Sequence, residues 1–132
     1  MEFFLFFFLL ALDRLTKIIV LYALPDSLFM NTRVFFVFAP PGISHALFFI
    51  SVGMLGWWFG HEVRAKKKQR LVSIAAAFIL AGAVGNFSDL LIYRAVVDWI
   101  PIPGLTVFNL ADVCIGAGCA LVLGSFFQRN RI

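Results

Sequence analysis

Four long apolar segments are the feature that most restricts how this chain can fold. They lie at about residues 3–24, 43–59, 71–92 and 108–127. A helix that rises about 1.5 Å per residue needs roughly 20 apolar residues to cross a bilayer core of about 30 Å. The second segment is marginal, because its strictly apolar part begins at Leu47 and needs residues 43–46 to reach that length. We therefore predict an all-α membrane protein, a single domain over residues 1–132 folded as a four-transmembrane-helix bundle.

The overall composition supports a lipid environment. Hydrophobic residues make up 62% of the chain and charged residues 14%, whereas soluble domains average about 45 to 50% and about 25%. A water-exposed fold would lack the polar residues to cover its surface. Cys114 and Cys119 form no disulfide or metal pattern, and His45 and His61 have no second ligand at helical spacing. We expect neither a metal nor another cofactor.

The distribution of basic residues predicts the orientation in the membrane. Cytoplasmic loops collect Lys and Arg. Seven basic residues mark one side: Arg64, Lys66, Lys67, Lys68, Arg70, Arg129 and Arg131. The opposite loops contain only Arg33 and Arg94. We therefore expect both termini in the cytoplasm and residues 25–44 and 101–104 on the outer face, and we attribute the net charge of +4 to topology and not to nucleic-acid binding.

The first apolar segment contains charges that a membrane helix rarely carries. Asp13 precedes Lys17 by four residues, so both side chains share one helical face and can pair. Pairing lowers the cost of placing each charge in an apolar setting. Two interpretations stay open: a structural pair that locks helix packing, or residues that take part directly in chemistry.

Small residues recur every four positions on two predicted spans. They are Ala77, Ala81 and Gly85 on the third span, and Gly116, Ala120 and Gly124 on the fourth. Such stripes allow close approach of helix backbones. We expect both stripes to be packing surfaces.

Amides and carboxylates cluster at the outer ends of the last two spans. Asn86 and Asp89 are three residues apart, as are Asn109 and Asp112, so each pair shares a helix face. The second pair also fits a helix N-terminal capping pattern, and that alternative stays open. The turn at residues 101–104, with two prolines and a glycine, can fold the chain back so that Asp98 faces Asp112. Two facing carboxylates do not both ionise easily, so one retains a proton while the other acts as a base toward water.

At these residues the chain resembles the lipoprotein signal peptidases, also called signal peptidase II. Five motifs occur in the family's order over nearly the full length. The matching residues are Asp13 and Lys17; Asn31 and Phe36; Gly82, Gly85, Asn86 and Asp89; Val96, Val97 and Asp98; and Phe108, Asn109, Ala111 and Asp112.

The resemblance implies a metal-independent aspartyl endopeptidase in which Asp98 and Asp112 are the catalytic pair. Its substrate would be a prolipoprotein, cut before a cysteine that already carries diacylglycerol. It also implies an outer-face lid and a small β-rich cradle, which residues 25–44 could form. We further expect a multi-pass monomer of the bacterial inner membrane with a short outer loop. Supporting roles in binding or structure fall to Asn31, Asn86, Asp89, Asn109, Arg94, Asp13 and Lys17.

Two departures from the family pattern bear on this interpretation. An Arg typically follows the Asp of the third motif, where this chain has Leu90, and Arg33 replaces a Gly of the outer Asn motif. Arg94 lies one helical turn beyond Leu90 and would supply the missing charge if the helix extends that far; otherwise it marks the membrane boundary. The loop between Asp98 and Asp112 is short and leaves little room for further outer structure. The competing hypothesis is an inactive relative, or a small membrane scaffold that binds lipidated peptides.

Overall fold

The computed structural model of the chain describes residues 1–32, 53, 57, 69–104 and 106–129. It contains three helices in that part of the chain: α1 (Glu2–Ala23), α2 (Gln69–Tyr93) and α3 (Leu110–Arg129). These helices agree with the first, third and fourth apolar segments to within two residues at each end. The predicted second span, residues 43–59, lies outside the described residues except at positions 53 and 57, so a bundle of four helices stays a prediction.

The helices differ in how well they suit a membrane. By length and composition, one described helix, Arg70–Tyr93, can cross a bilayer, with a mean hydropathy of 1.9. Leu110–Ser125 is a shorter apolar helix. α1 has 22 residues, long enough to span, but its middle turns carry Asp13, Arg14 and Lys17. Those charges must be neutralised by neighbouring helices if α1 is to lie in lipid.

Helix α2 packs against both α1 and α3 through small residues. The predicted stripe of Ala77, Ala81 and Gly85 is buried, as expected. A Cβ atom at Gly82 would collide with the backbone oxygen of Ala111 on α3. A Cβ atom at Gly85 would lie 2.6 Å from Asp13 Oδ2 on α1. Residues without bulky side chains therefore let α2 approach both neighbours closely.

The prediction that the small-residue stripe on the last helix is a packing surface is wrong. Gly116, Ala120 and Gly124 are all exposed. The face of α3 that is buried carries Ala111, Cys114 and Gly118 instead. This second set also consists of small residues at helical spacing, so the sequence alone does not distinguish the two faces. Contacts with both neighbours select this face: the N–H of Ala111 donates to Asp13 on α1, and Gly118 packs against Ala75 and Ile79 on α2.

Many large apolar side chains on α1 point outward. Four phenylalanines, Phe3, Phe4, Phe7 and Phe8, are more than half exposed, and Ile18 and Ile19 are nearly so. Water would oppose such a surface, whereas lipid tails match it. The distribution therefore fits a helix whose one polar face is buried in protein and whose apolar faces contact lipid.

Short strands lie at the end of the bundle where α1 and α2 end and α3 begins. After a turn of 3-10 helix at Pro25–Ser27, strand β1 (Phe29–Asn31) pairs antiparallel with β2 (Val96–Asp98). In this register Phe29 lies opposite Asp98. The first outer segment is thus attached to the chain that leaves α2.

The second pair of strands forms a hairpin before α3. β3 (Ile100–Ile102) pairs antiparallel with β4 (Thr106–Phe108). Gly104 in the turn has a φ of +79°, a left-handed conformation that glycine adopts without steric cost. The short loop between Asp98 and Asp112, which was expected to leave little room for further structure, therefore holds one hairpin of two three-residue strands.

The predicted cradle is only partly located. Residues 29–31 form a strand, as expected of the segment 25–44, but the partner strand comes from residues 96–98. Residues 33–44 lie outside the described residues. The sheet therefore depends on a pairing between segments that are more than 60 residues apart.

Arg94 ends α2 and does not continue it. The helix stops at Tyr93, and Arg94 has a φ of 56° while its N–H donates to Leu90 O at 3.1 Å. A left-handed residue directly after the last turn is a common helix stop. The condition for Arg94 to share a helical face with Leu90 is therefore not met.

Candidate active site

Asp98 lies at the end of β2 and is buried. Its Oδ2 accepts a hydrogen bond from Asn31 Nδ2 at 3.0 Å, and its Oδ1 accepts one from Asn109 Nδ2 at 2.6 Å. The β1–β2 register explains the first contact, because Asn31 and Asp98 are diagonal neighbours on one face of the sheet. The strand pairing therefore brings the predicted outer asparagine to a predicted catalytic residue.

Asp112 lies in the first turn of α3 and forms a capping box with Asn109. The N–H of Asp112 donates to Asn109 Oδ1 at 2.9 Å, and the N–H of Asn109 donates to Asp112 Oδ2 at 3.3 Å. This reciprocal arrangement satisfies two N–H groups at the helix start. The capping alternative raised from the sequence is thus realised, and it leaves Asp112 Oδ1 facing α2.

Two asparagine side chains connect the carboxylates. Asn86 Nδ2 donates to Asp112 Oδ1 at 2.8 Å. Asn109 Nδ2 donates both to Asp98 Oδ1 and, at 3.0 Å, to Asn86 Oδ1. Asn86 and Asn109 are themselves buried. One continuous network of hydrogen bonds therefore runs from Asp98 to Asp112.

The electrostatic setting of Asp98 favours its protonated form. Burial, which penalises the charged carboxylate, raises the pKa of Asp98 to about 6, and the nearby charge of Asp112 adds to the increase. The hydrogen bonds from Asn31 and Asn109 act in the opposite direction because they stabilise the carboxylate. Asp98 therefore loses its proton much closer to neutral pH than an ordinary aspartate does.

This balance predicts opposite shifts in two variants. Asp112→Asn removes the like charge, so the pKa of Asp98 should fall; Asn31→Ala removes a donor to the carboxylate, so the pKa should rise. Titration of the Asp98 carboxyl carbon by NMR in detergent, with selectively labelled aspartate, measures both shifts. A pKa of Asp98 that is unchanged in Asp112→Asn would show that the two carboxylates do not interact.

A cluster of four charged side chains lies beneath this network. Lys17 Nζ is 3.1 Å from Asp13 Oδ2 and 2.7 Å from Asp89 Oδ2. Arg14 Nη2 is 2.9 Å from Asp13 Oδ2 and 2.7 Å from Asp89 Oδ1. Lys17, Asp13 and Asp89 are buried, and the Arg14 side chain is 26% exposed. Two acids and two bases neutralise each other, which makes burial tolerable.

The charged cluster is connected to the network above it. Lys17 Nζ donates to Asn86 Oδ1 at 2.9 Å, so the predicted Asp13 and Lys17 pair forms and also reaches the amide that contacts Asp112. The other predicted supporting residues lie next to this pair and the two carboxylates; they are Asn31, Asn86, Asp89 and Asn109. Arg94 does not join them, since it is exposed and takes part in none of the ion pairs within the described ranges. Phe36 lies outside the described residues.

The sequence interpretation missed Arg14. Adjacent helical residues point in different directions, so Arg14 was not expected to share the partners of Asp13. Its long side chain bends back to reach them. The signal that could have indicated it is the third charge in an apolar helix, which requires a partner of opposite sign.

Comparisons with known proteins define first the fold and then the family. Two solved structures, each described as a bacterial membrane enzyme determined by the in meso method, superpose with TM-scores of 0.72 and 0.71. They are 21% and 20% identical in sequence. The superpositions cover 98% and 95% of this chain and 89% and 91% of those chains. This chain therefore shares the helical fold of those two structures.

The sequence model of signal peptidase (SPase) II matches residues 5–128, and the chain belongs to that family. A lipoprotein signal peptidase of Listeria monocytogenes serotype 4b (strain CLIP80459) is 36% identical over 93 residues, 66% of this chain and 60% of that protein. One of Chromobacterium violaceum is 34% identical over 88 residues, 63% of this chain and 54% of that protein. The chain thus spans only about half the length of the curated relatives that it matches. Membership of this family makes it a membrane protein.

Proposed function

We propose that this chain is a membrane aspartyl endopeptidase that removes the signal peptide of diacylglyceryl-modified prolipoproteins, cutting before the lipidated cysteine. The observation that carries the proposal is a pair of carboxylates, Asp98 and Asp112, joined through the amides of Asn109 and Asn86. Membership of the signal peptidase II family and the names of the relatives support the same activity.

The chemistry follows from one proton shared by two acids. The ionised carboxylate takes a proton from a water molecule, which attacks the scissile carbonyl, and the protonated carboxyl donates a hydrogen bond to that carbonyl. When the bond breaks, a carboxyl returns a proton to the leaving amine. The pKa of about 6 for Asp98 supports this division, because Asp98 holds its proton at a pH well above the range in which an ordinary aspartate has lost it.

The surrounding side chains hold the pair in place. Asn31 and Asn109 each donate to one oxygen of Asp98, so the orientation of that carboxylate is fixed. Asp112 is fixed by the capping box and by Asn86. Fixed reacting groups need little reorganisation on the way to the transition state.

The proposed substrate suits the proposed position of the pair. The carboxylates lie where the outer strands meet the ends of α2 and α3, the level at which a lipid anchor would hold the scissile bond. Exposed apolar side chains, including Leu91, Ile92 and Ile102, lie close by in sequence on these elements. A diacylglyceryl group that stays in the lipid layer would present the peptide bond beside Asp98.

The test is cleavage of matched precursors by the purified full chain in detergent. A diacylglyceryl-modified prolipoprotein should lose its signal peptide, seen as a mobility shift, and the unmodified precursor should be cut far more slowly. Absence of cleavage of the lipidated precursor by folded protein would contradict the peptidase proposal.

One observation favours an inactive, binding relative as the second candidate. All four oxygens of Asp98 and Asp112 already accept hydrogen bonds from protein groups, as expected of acids that only cap and pair. The two candidates differ in one result, because a binding protein retains lipidated precursor without shortening it.

We place the chain, as a single domain and a monomer, in the bacterial inner membrane with both termini in the cytoplasm. The proposal rests on the distribution of basic residues, seven on one side against two on the other. In this orientation the strands and the carboxylate pair lie on the outer face. That is the side on which exported precursors arrive.

Cysteine labelling should confirm the orientation. In a background with Cys114 and Cys119 replaced by alanine, a membrane-impermeant maleimide added to intact cells should label Pro103→Cys and leave Lys67→Cys unlabelled until the cells are permeabilised. Pro103 is exposed in the β3–β4 turn, and it is preferred to Gly104 because of the positive φ of that residue. The reverse pattern would put the carboxylate pair on the wrong side of the membrane.

A further inference from the structure

The charged cluster is connected to the backbone next to each carboxylate of the pair. Asp13 Oδ1 accepts the N–H of Ala111 at 3.0 Å, and Asp89 Oδ2 accepts the N–H of Val97 at 3.2 Å. Ala111 directly precedes Asp112, and Val97 directly precedes Asp98. Each acid of the cluster therefore fixes the peptide that leads into one member of the pair.

Arg14 is the side chain that connects these two acids on the partly exposed side of the cluster. Its Nη2 contacts Asp13 and Asp89 at 2.9 and 2.7 Å and also donates to Gly85 O at 2.8 Å. One nitrogen on α1 thus reaches both acids and the backbone of α2. Removal of Arg14 would leave two carboxylates with the single ammonium of Lys17, and their mutual repulsion would then act on both peptides that they hold.

We propose that Arg14 is a positioning residue of the proposed peptidase, which sets the placement of Asp98 and Asp112 through Asp89 and Asp13. The proposal rests on the proposed function and deepens it. Arg14 does not touch the carboxylate pair in the described structure; it acts through the two acids. The contacts also explain how the chain functions with Leu90 at the position where the family pattern has an Arg, because Arg14 supplies a guanidinium to Asp89 from α1.

One nitrogen of Arg14 makes all three contacts. The two N–H groups of Nη2 donate to Asp13 Oδ2 and to Gly85 O, and its positive charge lies 2.7 Å from Asp89 Oδ1 as an ion pair. The side chain of lysine is one atom shorter, so its ammonium would not reach the position of Nη2 and keep all three contacts. Arg14 also shows that a guanidinium on a helix can contact the carboxylate of the residue just before it, since it contacts Asp13. An Arg at position 90, which follows Asp89 directly, can do the same from α2.

The test compares steady-state kinetics of folded variants on the lipidated precursor. Arg14→Leu and Arg14→Lys should each lower kcat. For Arg14→Leu we expect a loss of about 10- to 100-fold, because small displacements of reacting groups have effects of that size. The KM of both variants should stay within about twofold of wild type. Addition of Leu90→Arg to Arg14→Leu should restore a large part of kcat. Arg14→Lys keeps the charge, and it remains informative if Arg14→Leu fails to fold.

The matched control is Arg70→Leu, an exposed arginine at the opposite end of α2, which should keep the wild-type kcat. Wild-type kcat in Arg14→Leu, a defect confined to KM, or an equal loss in Arg70→Leu would each overturn the proposal. Wild-type protein that is folded yet cleaves nothing would instead overturn the proposed function, so the two failures are distinguishable.

Discussion

Asp98→Asn and Asp112→Asn should each reduce cleavage of the lipidated precursor by about 10⁴-fold or more. Losses of this size are seen when the acid of a catalytic unit is replaced by its amide. Asparagine keeps the shape of aspartate but cannot accept a proton from water. The double variant should be little worse than either single one, because residues that act as a unit lose their effect together. Initial rates of precursor cleavage measure all three variants.

The matched control for these variants is Asp26→Asn, an exposed aspartate in the 3-10 turn at Pro25–Ser27, which should cleave at the wild-type rate. If Asp112 served only as a cap, Asp112→Asn would be mild, since Asn is itself a good cap and such changes alter stability by about 1 kcal/mol or less. Substantial cleavage by either Asn variant would contradict the proposal that Asp98 and Asp112 are the catalytic pair. It would favour the second candidate, an inactive relative that binds lipidated precursors.

Removal of Asp89 should have the largest effect on stability. Asp89→Leu leaves Arg14 and Lys17 facing Asp13 alone and deprives the N–H of Val97 of its acceptor. A broken buried ion pair costs about 3 to 5 kcal/mol. Unfolding of the purified protein in mixed micelles of detergent and SDS should show a decrease in the free energy of unfolding of that order.

A second substitution should reverse part of this loss. Lys17→Leu added to Asp89→Leu leaves one acid, Asp13, with one base, Arg14, so the double variant should be at least as stable as Asp89→Leu alone. Asp26→Leu is the surface control and should change stability little. Strictly additive losses for Asp89→Leu and Lys17→Leu would mean that the two side chains do not form a coupled pair.

The helices could be predicted because their signal is local. A run of about 20 apolar residues has one stable solution in lipid, since a helix satisfies every backbone hydrogen bond within the segment. The ends of α1, α2 and α3 accordingly lie within two residues of the predicted bounds. The rotation of α3 could not be predicted in the same way, because two of its faces carry small residues and only the contacts with α1 and α2 distinguish them.

The strands were harder to predict for two physical reasons. Each has three residues, which is too short to show the alternation that identifies a strand. β1 and β2 are also more than 60 residues apart in the sequence, and their pairing depends on where the helices end. The hairpin of β3 and β4 has the turn signal of Pro103 and Gly104, which indicated a reversal of the chain but not the strands beside it.

Within the site, the type and spacing of residues predicted most of the side chains that lie near Asp98 and Asp112. Which atom of each side chain contacts which neighbour became known only from the structure. Asn109 was weighed as a helix cap or as part of a site, and it is at once the cap of α3 and a donor to Asp98. Different atoms of one side chain serve the two purposes, so the alternatives were not exclusive. The role of Arg14 was not predicted, because its contacts depend on the conformation of a long side chain, which residue spacing does not indicate.

The most direct test of the proposed activity is the mass of the product. Purified protein is incubated with a diacylglyceryl-modified prolipoprotein, and the products are analysed by mass spectrometry. We predict a lipidated fragment whose new N-terminus is the modified cysteine, together with the intact signal peptide, and no such fragment with Asp98→Asn. An uncut precursor, or a cut at another bond, in the presence of folded wild-type protein would contradict the account.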